Sequence, residues 1–284
     1  MSEVAVVAAC QRDGAGGSPT AVLDDAPFTD EERCRIPTAW GTSHAVFLRA
    51  TGIERRQPAY ALRFFTAQGE LPACGHGTVA ALAVLAEREG GHDYRAALRT
   101  AHRSFDGRAS RNGDGLTASF DPGPVSLRST GGPELRAVTE GLGLTEDALA
   151  GDVCVASNGR PRLLLPIRSR TRLAELTPDL AQLRAACDRY GLLGCYVYSP
   201  PDRHGRAAAR MFAPSIGVPE DIANANSTAC LAAHAAEFGT HRLAVDMGDH
   251  LGSPSTITAT AHRDRAGHQI RVGGQAAIVR TVMR

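Results

Sequence analysis

Short apolar runs rich in β-branched and aromatic residues alternate with turns along the chain, and two Ala-rich stretches interrupt that pattern. Such runs, bounded by Gly, Pro, Asn and Asp, predict strands. VAVVAAC near the N-terminus is one; the Gly-rich turn GAGGSP and a second run, TAVL, follow it. Residues 28–40 have helical character, with Thr29 as N-cap and Glu32 three positions on, the capping-box pattern. HAVFLRAT and YALRFFTA are strand-like. The stretch GELPACGHGTVAALAVLAEREGG then breaks at Pro72 and predicts a helix from Thr78 to Glu89, stopped by Gly90-Gly91. This helix is apolar nearly all round, so it has to be surrounded by protein.

The second half repeats the scheme. RMFAPSIGVPEDIANANSTACLAAHAAEFG has the same order of strand, Pro-containing bend, small polar residues, Ala-rich helix and Gly. Arg63-Phe64-Phe65-Thr66 parallels Arg210-Met211-Phe212-Ala213 at an offset of 147, and Glu87 parallels Glu237 at 150. The second copy thus carries three extra residues between strand and helix. Duplication predicts an α+β fold of two pseudo-symmetric lobes, each a curved or barrel-like, mostly antiparallel sheet around a central helix. The expected lobes are residues 1–121, with the terminal strand 276–284 as a candidate to complete the sheet, and residues 122–275. SFDPGPVSL (119–127) reads as the crossover, and QIRVGG and AAIVRTVM as closing strands.

Composition narrows the chemistry. All 31 basic residues among the 284 are Arg. Without lysine there is no Schiff base with a carbonyl substrate or pyridoxal phosphate, no working P-loop and no protein-kinase catalytic lysine. A net charge of +1 argues against nucleic acid as a partner. No apolar run reaches the length of a membrane span, and the N-terminus does not resemble a secretory signal. Seven widely spaced cysteines with no CxxC pair read as reduced thiols of a cytoplasmic chain. HExxH, paired-Cys zinc spacing and GxSxG do not occur, so no metal is expected. Gly14-Ala15-Gly16 lacks the third glycine of a dinucleotide fingerprint and runs into Gly17-Ser18-Pro19, so no nucleotide cofactor is expected either.

Both Ala-rich helices begin with residues of little bulk, Cys74-Gly75-His76-Gly77-Thr78 and Asn224-Ala225-Asn226-Ser227-Thr228. Helix starts present unpaired N–H groups and partial positive charge, which suit a carboxylate. His76 lies in the first small-residue loop, Asp221 beside Glu220 at the corresponding place in the second, and His44 follows Thr42-Ser43 before a strand. A histidine with pKa near ~6.5 serves as acid or base at neutral pH. Cys74 is a candidate thiol at a helix start, whereas Cys230 falls a turn into the second helix.

These motifs resemble those of the PhzF-like isomerases, named from phenazine biosynthesis and related in fold to diaminopimelate epimerase and proline racemase. The resemblance covers nearly the whole chain. Its carriers are Gly17-Ser18-Pro19, RFFTAQGELPACGHGT, Asn158-Gly159-Arg160-Pro161, RMFAP followed by Pro219-Glu220-Asp221, Gly252-Ser253-Pro254-Ser255 and Val272-Gly273-Gly274. The resemblance implies two diaminopimelate epimerase-type lobes, an active site in the cleft between them, no cofactor, and a homodimer. It implies that His76 and Asp221 assist a proton shuttle. The family's shuttle glutamate falls on His44, preceded by Ser43, so histidine stands where glutamate is usual. The second loop, Asp221-Ile222-Ala223-Asn224-Ala225-Asn226, departs from the family's Asp-Pro-x-Thr-Gly-Ser.

The resulting expectation is a cofactor-independent isomerase that moves a proton and a double bond on a small unsaturated carboxylic acid. His44, Asp221 and His76 are the catalytic candidates; Ser43, Cys74, Gly75, Gly77, Thr78, Asn226 and Ser227 are the substrate-binding ones. Family analogy extends this to a pyrroline-type acid in antibiotic biosynthesis, of the lincomycin-type 4-alkylproline branch. Two alternatives remain open at this point: an amino-acid epimerase or racemase, and a catalytically inactive carboxylate-binding protein.

Overall fold

In the computed structural model, which describes residues 3–90, 92–113, 115–264 and 267–283, the chain falls into two units. The first comprises Met1–Pro122, Ser253–Ile257 and Arg271–Arg284; the second comprises Gly123–Gly252 and Thr258–Ile270. The chain passes from one to the other at Pro122-Gly123, inside the Pro/Gly-rich 119–127 segment. Chain order begins β1 (Glu3–Gln11), β2 (Ser18–Asp24), α1 (Asp30–Trp40), β3 (His44–Glu54), β4 (Gln57–Thr66), β5 (Gly69–Leu71) and α2 (Gly75–Glu89). It continues β6 (Asp93–Arg99), β7 (Ser104–Asn112), β8 (Gly115–Phe120), β9 (Ser126–Ser129), α3 (Gly132–Gly141), β10 (Cys154–Ser157), β11 (Pro161–Pro166) and α4 (Arg170–Glu175). The remainder is α5 (Leu180–Tyr190), β12 (Cys195–Tyr198), β13 (Arg206–Ala213), β14 (Val218–Asp221), α6 (Ala225–Glu237), β15 (Arg242–Met247), β16 (Ser255–Asp264) and β17 (Gly267–Met283).

In the first unit β1 pairs antiparallel with β2, β2 parallel with β3, β3 antiparallel with β4, and β4 parallel with β6. β6, β7, β8 and β17 then pair antiparallel in turn, and β17 pairs antiparallel with β1. The ring closes on itself, so this barrel has no free edge. α2 packs against β1, β2, β3, β6, β7 and β8, and every residue from Gly75 to Ala86 is buried. Its uniformly apolar sequence is what such enclosure requires. On another face, Ile36 of α1 packs with Leu23, Ala45, Phe47 and Phe65. Thr29 caps α1 with the expected box: its Oγ1 accepts from the Glu32 N–H at 3.2 Å, and its own N–H donates to Glu32 Oε2 at 2.7 Å.

The helix begins at Gly75, not at Thr78 as its sequence suggests. Two glycines in a first turn cost roughly 1 kcal/mol each relative to Ala, but enclosure overrides propensity. A Cβ on Gly77 would lie 3.0 Å from Cys74 Sγ and 3.1 Å from both Phe64 Cδ1 and Val46 Cγ2.

The second unit repeats the pairing order. β10–β11 antiparallel, β11–β12 parallel, β12–β13 antiparallel, β13–β14 antiparallel and β13–β15 parallel reproduce β1–β2, β2–β3, β3–β4, β4–β5 and β4–β6. β9 joins β10 as β17 joins β1. α6 packs on β10 and β15. Val138 of α3, its C-cap Leu142, and Leu183 and Cys187 of α5 share a core with Leu163, Leu165, Cys195 and Val197 of the sheet. Two of the three extra residues of the second copy lie in the turn that holds the 3-10 segment Pro214–Ile216, and the third lies at the register shift between the Met211–Asp221 and Ala213–Val218 pairs.

This register corrects one expectation. Leu71 lies opposite Phe64 as Asp221 lies opposite Met211, and Cys74 and Asn224 are the N-caps of α2 and α6. Asp221 therefore corresponds to Leu71, and the counterpart of His76 is Asn226. Residue spacing alone does not show this, because the longer turn and the register shift between Met211 and Ala213 give strand and helix different offsets.

Candidate active site

β3 starts at His44, which lies beside Thr20 of the parallel strand β2. The Thr42 hydroxyl donates to the His44 carbonyl at 3.0 Å, fixing this entry to the strand. His44 is only 8% exposed, although Ser43 before it is exposed. The Ser43 hydroxyl donates to the Pro19 carbonyl at 3.2 Å, and its oxygen lies 2.9 Å from His44 Nδ1. A hydroxyl has one proton to give. When that proton goes to Pro19, Nδ1 of His44 carries its own hydrogen and donates to Ser43. In that tautomer the lone pair is on Nε2, which makes Nε2 the basic atom.

Cys74 is the N-cap of α2 in extended conformation, and its side chain makes no capping bond. Its carbonyl accepts from the Thr78 N–H at 3.0 Å and from Thr78 Oγ1 at 2.8 Å. That leaves the thiol directed at His76, with Sγ 3.4 Å from Nε2. The His76 and His44 rings lie edge to face with centroids 4.3 Å apart. Burial, and next the neighbouring His76, hold the His44 imidazole well below its ordinary value of 6.5. The sequence suggested a histidine that works without special tuning; enclosure tunes it strongly toward the neutral base. His44, Cys74 and His76 also place three metal-competent donor atoms within 4.8 Å of one another.

The second unit uses its helix start differently. Asn224 caps α6, its Oδ1 accepting from the Ser227 N–H at 2.8 Å, and its Nδ2 donates to Asp221 Oδ2 at 2.9 Å. Asp221 Oδ1 accepts from the Ala223 N–H at 3.3 Å. The carboxylate is thus oriented by the loop that follows it. Ser227 is fully buried, with its hydroxyl on Met211 Sδ at 3.4 Å, so both its donors serve the unit itself.

Behind Asn226 stands a network that motif reading did not single out. Asn158 Nδ2 donates to Asn226 Oδ1 at 3.4 Å, and Asn158 Oδ1 accepts from Arg162 Nη1 at 2.8 Å. Arg162 is 2% exposed, and Cys230 Sγ and the Arg160 carbonyl also receive its N–H groups. Burial raises the Cys230 thiol, and the Arg162 charge acts against that rise. An apolar strand, PRLLLP, carries this arginine inward; only its interruption of the apolar run hints at a role.

A closed barrel around an apolar helix brings His44 at the start of β3 against His76 at the start of that helix, on an α+β fold. The phenazine biosynthesis-like family (PhzC-PhzF) matches residues 7–282, and the chain belongs to that family. The uncharacterized isomerase YddE of Salmonella typhimurium is 28% identical over 93% of this chain and 91% of its own length. The trans-2,3-dihydro-3-hydroxyanthranilate isomerase of Pseudomonas chlororaphis is 27% identical over 90% and 88%. Among solved structures, a predicted epimerase from Pseudomonas aeruginosa superposes with TM-score 0.84 at 26% identity, covering 100% of this chain and 99% of that one. The protein is an isomerase with the diaminopimelate epimerase-like fold that the resemblance implied. No helix among the described residues is long and apolar enough to cross a membrane.

Proposed function

We propose that the protein shifts a proton, and with it a C=C or C=N bond, on a small unsaturated carboxylic acid, and that it does so without a cofactor. The carrying observation is His44: burial holds its imidazole well below its ordinary value, its ring meets His76, and Ser43 Oγ lies 2.9 Å from Nδ1, placed to accept its N–H and leave Nε2 as the base. Nε2 removes a proton from the substrate carbon, and a group of the site returns a proton to another carbon, with His76 and Asp221 as partners. A neutral imidazole suits a carbon acid already acidified by conjugation, as in a pyrroline or dihydroaromatic carboxylate. A Pseudomonas chlororaphis relative carries the name of a dihydro-hydroxyanthranilate isomerase, which is an acid of that kind. The N–H groups at the start of α2, around Gly75 and Gly77, suit the carboxylate, and Asn226 stands at the matching place on α6. Ser227 enters as a support of the α6 start.

Amino-acid epimerisation is the competing reading, favoured by the Cys74 thiol beside His76. It is weakened by Asn224, which stands at α6 where Cys74 stands at α2.

The protein incubated with candidate acids in D2O and followed by NMR separates these. Deuterium in both substrate and a double-bond isomer, lost in His44→Ala, supports the proposal. Full turnover in His44→Ala would sink the assignment, and exchange at Cα with racemised product would favour the epimerase.

A further inference from the structure

His44, Cys74 and His76 come from two elements, the first residue of β3 and the start of α2, and all three are buried. One donor atom of each lies within 4.8 Å of the others. A tetrahedral zinc ion with sulfur at roughly 2.3 Å and imidazole nitrogen at roughly 2.0–2.1 Å has ligand atoms about 3.3–3.6 Å apart. Cys74 Sγ and His76 Nε2 are 3.4 Å apart, so one edge of that tetrahedron is already built. The His44 nitrogen, no more than 4.8 Å from the other two donor atoms, is the ligand that has to close in.

The surroundings of His44 match a ligand as well. A metal-bound imidazole generally donates its other N–H to an oxygen, which sets its tautomer and aim. Ser43 Oγ, 2.9 Å from His44 Nδ1 and anchored on the Pro19 carbonyl, is placed to accept that N–H. Two imidazoles and one thiolate select zinc and its chemical neighbours over magnesium or calcium. Three protein ligands leave a fourth position open. Sequence spacing did not reveal this set, because Cys74 and His76 are two residues apart while His44 is brought in by β3.

We propose that His44, Cys74 and His76 bind Zn2+ or a similarly thiophilic divalent cation, and that occupancy switches off proton transfer. Binding exchanges the Cys74 thiol proton, released to solvent, for the metal–sulfur bond. The ion takes the His44 Nε2 lone pair; this regulatory half rests on the role given to His44 under Proposed function.

Co2+ is the probe for the site. Titrated into the full-length protein, it should give tetrahedral d–d bands and a thiolate-to-cobalt charge-transfer band, both abolished by competing Zn2+ and untouched by Mg2+. Cys74→Ser should lose the charge-transfer band, and His76→Gln or His44→Gln should weaken binding by roughly 10-fold or more. A wild-type spectrum of octahedral aqueous cobalt, or a charge-transfer band that survives in Cys74→Ser, overturns the site. Deuterium exchange into an active substrate should stop with Zn2+ and return with EDTA; exchange that persists with the site saturated overturns the switch. If no acid exchanges with or without Zn2+, the isomerase reading fails while the cobalt spectrum still decides the site.

Discussion

The His44 and His76 rings meet edge to face, centroids 4.3 Å apart and planes at 79°. Two imidazoles this close and this buried do not both take a proton, since each charge would face the other with little water to screen it. At most one of the two rings is charged at a time, so one proton is the unit of the pair's chemistry.

The pH profile should show it. Burial first and His76 second hold His44 well below 6.5, so the acid limb of kcat/KM should fall well below that pH. In His76→Gln the smaller cause is gone, and the His44 resonances in an NMR titration should move upward yet stay under 6.5. A His44 titrating at or above 6.5 in the wild-type protein would contradict the burial.

Stability has the matching dependence. Below about pH 6.5 the unfolded chain takes a proton on His44 that the folded chain resists, so the unfolded state binds more protons. The His44 contribution is fully present above that pH and is lost as pH falls toward the depressed folded value. Urea unfolding at stepped pH should show this loss in wild type and a flatter curve in His44→Gln.

Gly77→Ala should destabilise the protein by about 1–3 kcal/mol, as overpacking does. The new Cβ would lie 3.0 Å from Cys74 Sγ and 3.1 Å from Phe64 and Val46 on the enclosing strands. Denaturant midpoints measure the cost. Because Cys74 must also give way, the cobalt charge-transfer band should shift in the same variant.

The duplicated strand pairs carry equivalent ion pairs of unequal worth. Arg210 binds Glu220 through two N–H groups at 2.8 and 2.7 Å, with side chains 6% and 8% exposed. Arg63 binds Glu70, with side chains 33% and 38% exposed. Glu220→Ala strands a buried guanidinium and should cost about 3–5 kcal/mol; Glu70→Ala should cost about 1 kcal/mol or less. Equal losses in urea unfolding would refute the difference.

Asn224→Ala removes the acceptor for the Ser227 N–H and the donor to Asp221. Loss of the cap should cost about 1 kcal/mol. The freed Asp221 should also lower turnover more than it weakens substrate binding, a split between kcat and KM that a purely structural cap would not produce.

Much of this was legible along the chain. The capping box at Thr29, the apolar enclosure of α2 and the repeat of strand, bend and helix are local or periodic signals. A few neighbouring residues suffice to express them. Three features were not legible. The first turn of α2 at Gly75-His76-Gly77 runs against helix propensity, and the enclosing strands leave no room for a side chain at Gly77. The correspondence of Asp221 with Leu71 became visible only through strand register. Arg162 looked like a break in an apolar strand until Asn158, Asn226 and Cys230 stood around it.

The sequence by itself determined the class of elements, the duplication, the lack of lysine chemistry and the identity of the candidate proton carriers, because composition and periodicity belong to the chain. Only the tertiary structure decided what those carriers are. Closure of the barrel desolvates His44, Ser43 meets its Nδ1, and the start of α2 brings His76 and Cys74 against it. Desolvation and distance between residues far apart in the chain have no signature in spacing. They turn a histidine of ordinary basicity into a neutral buried base.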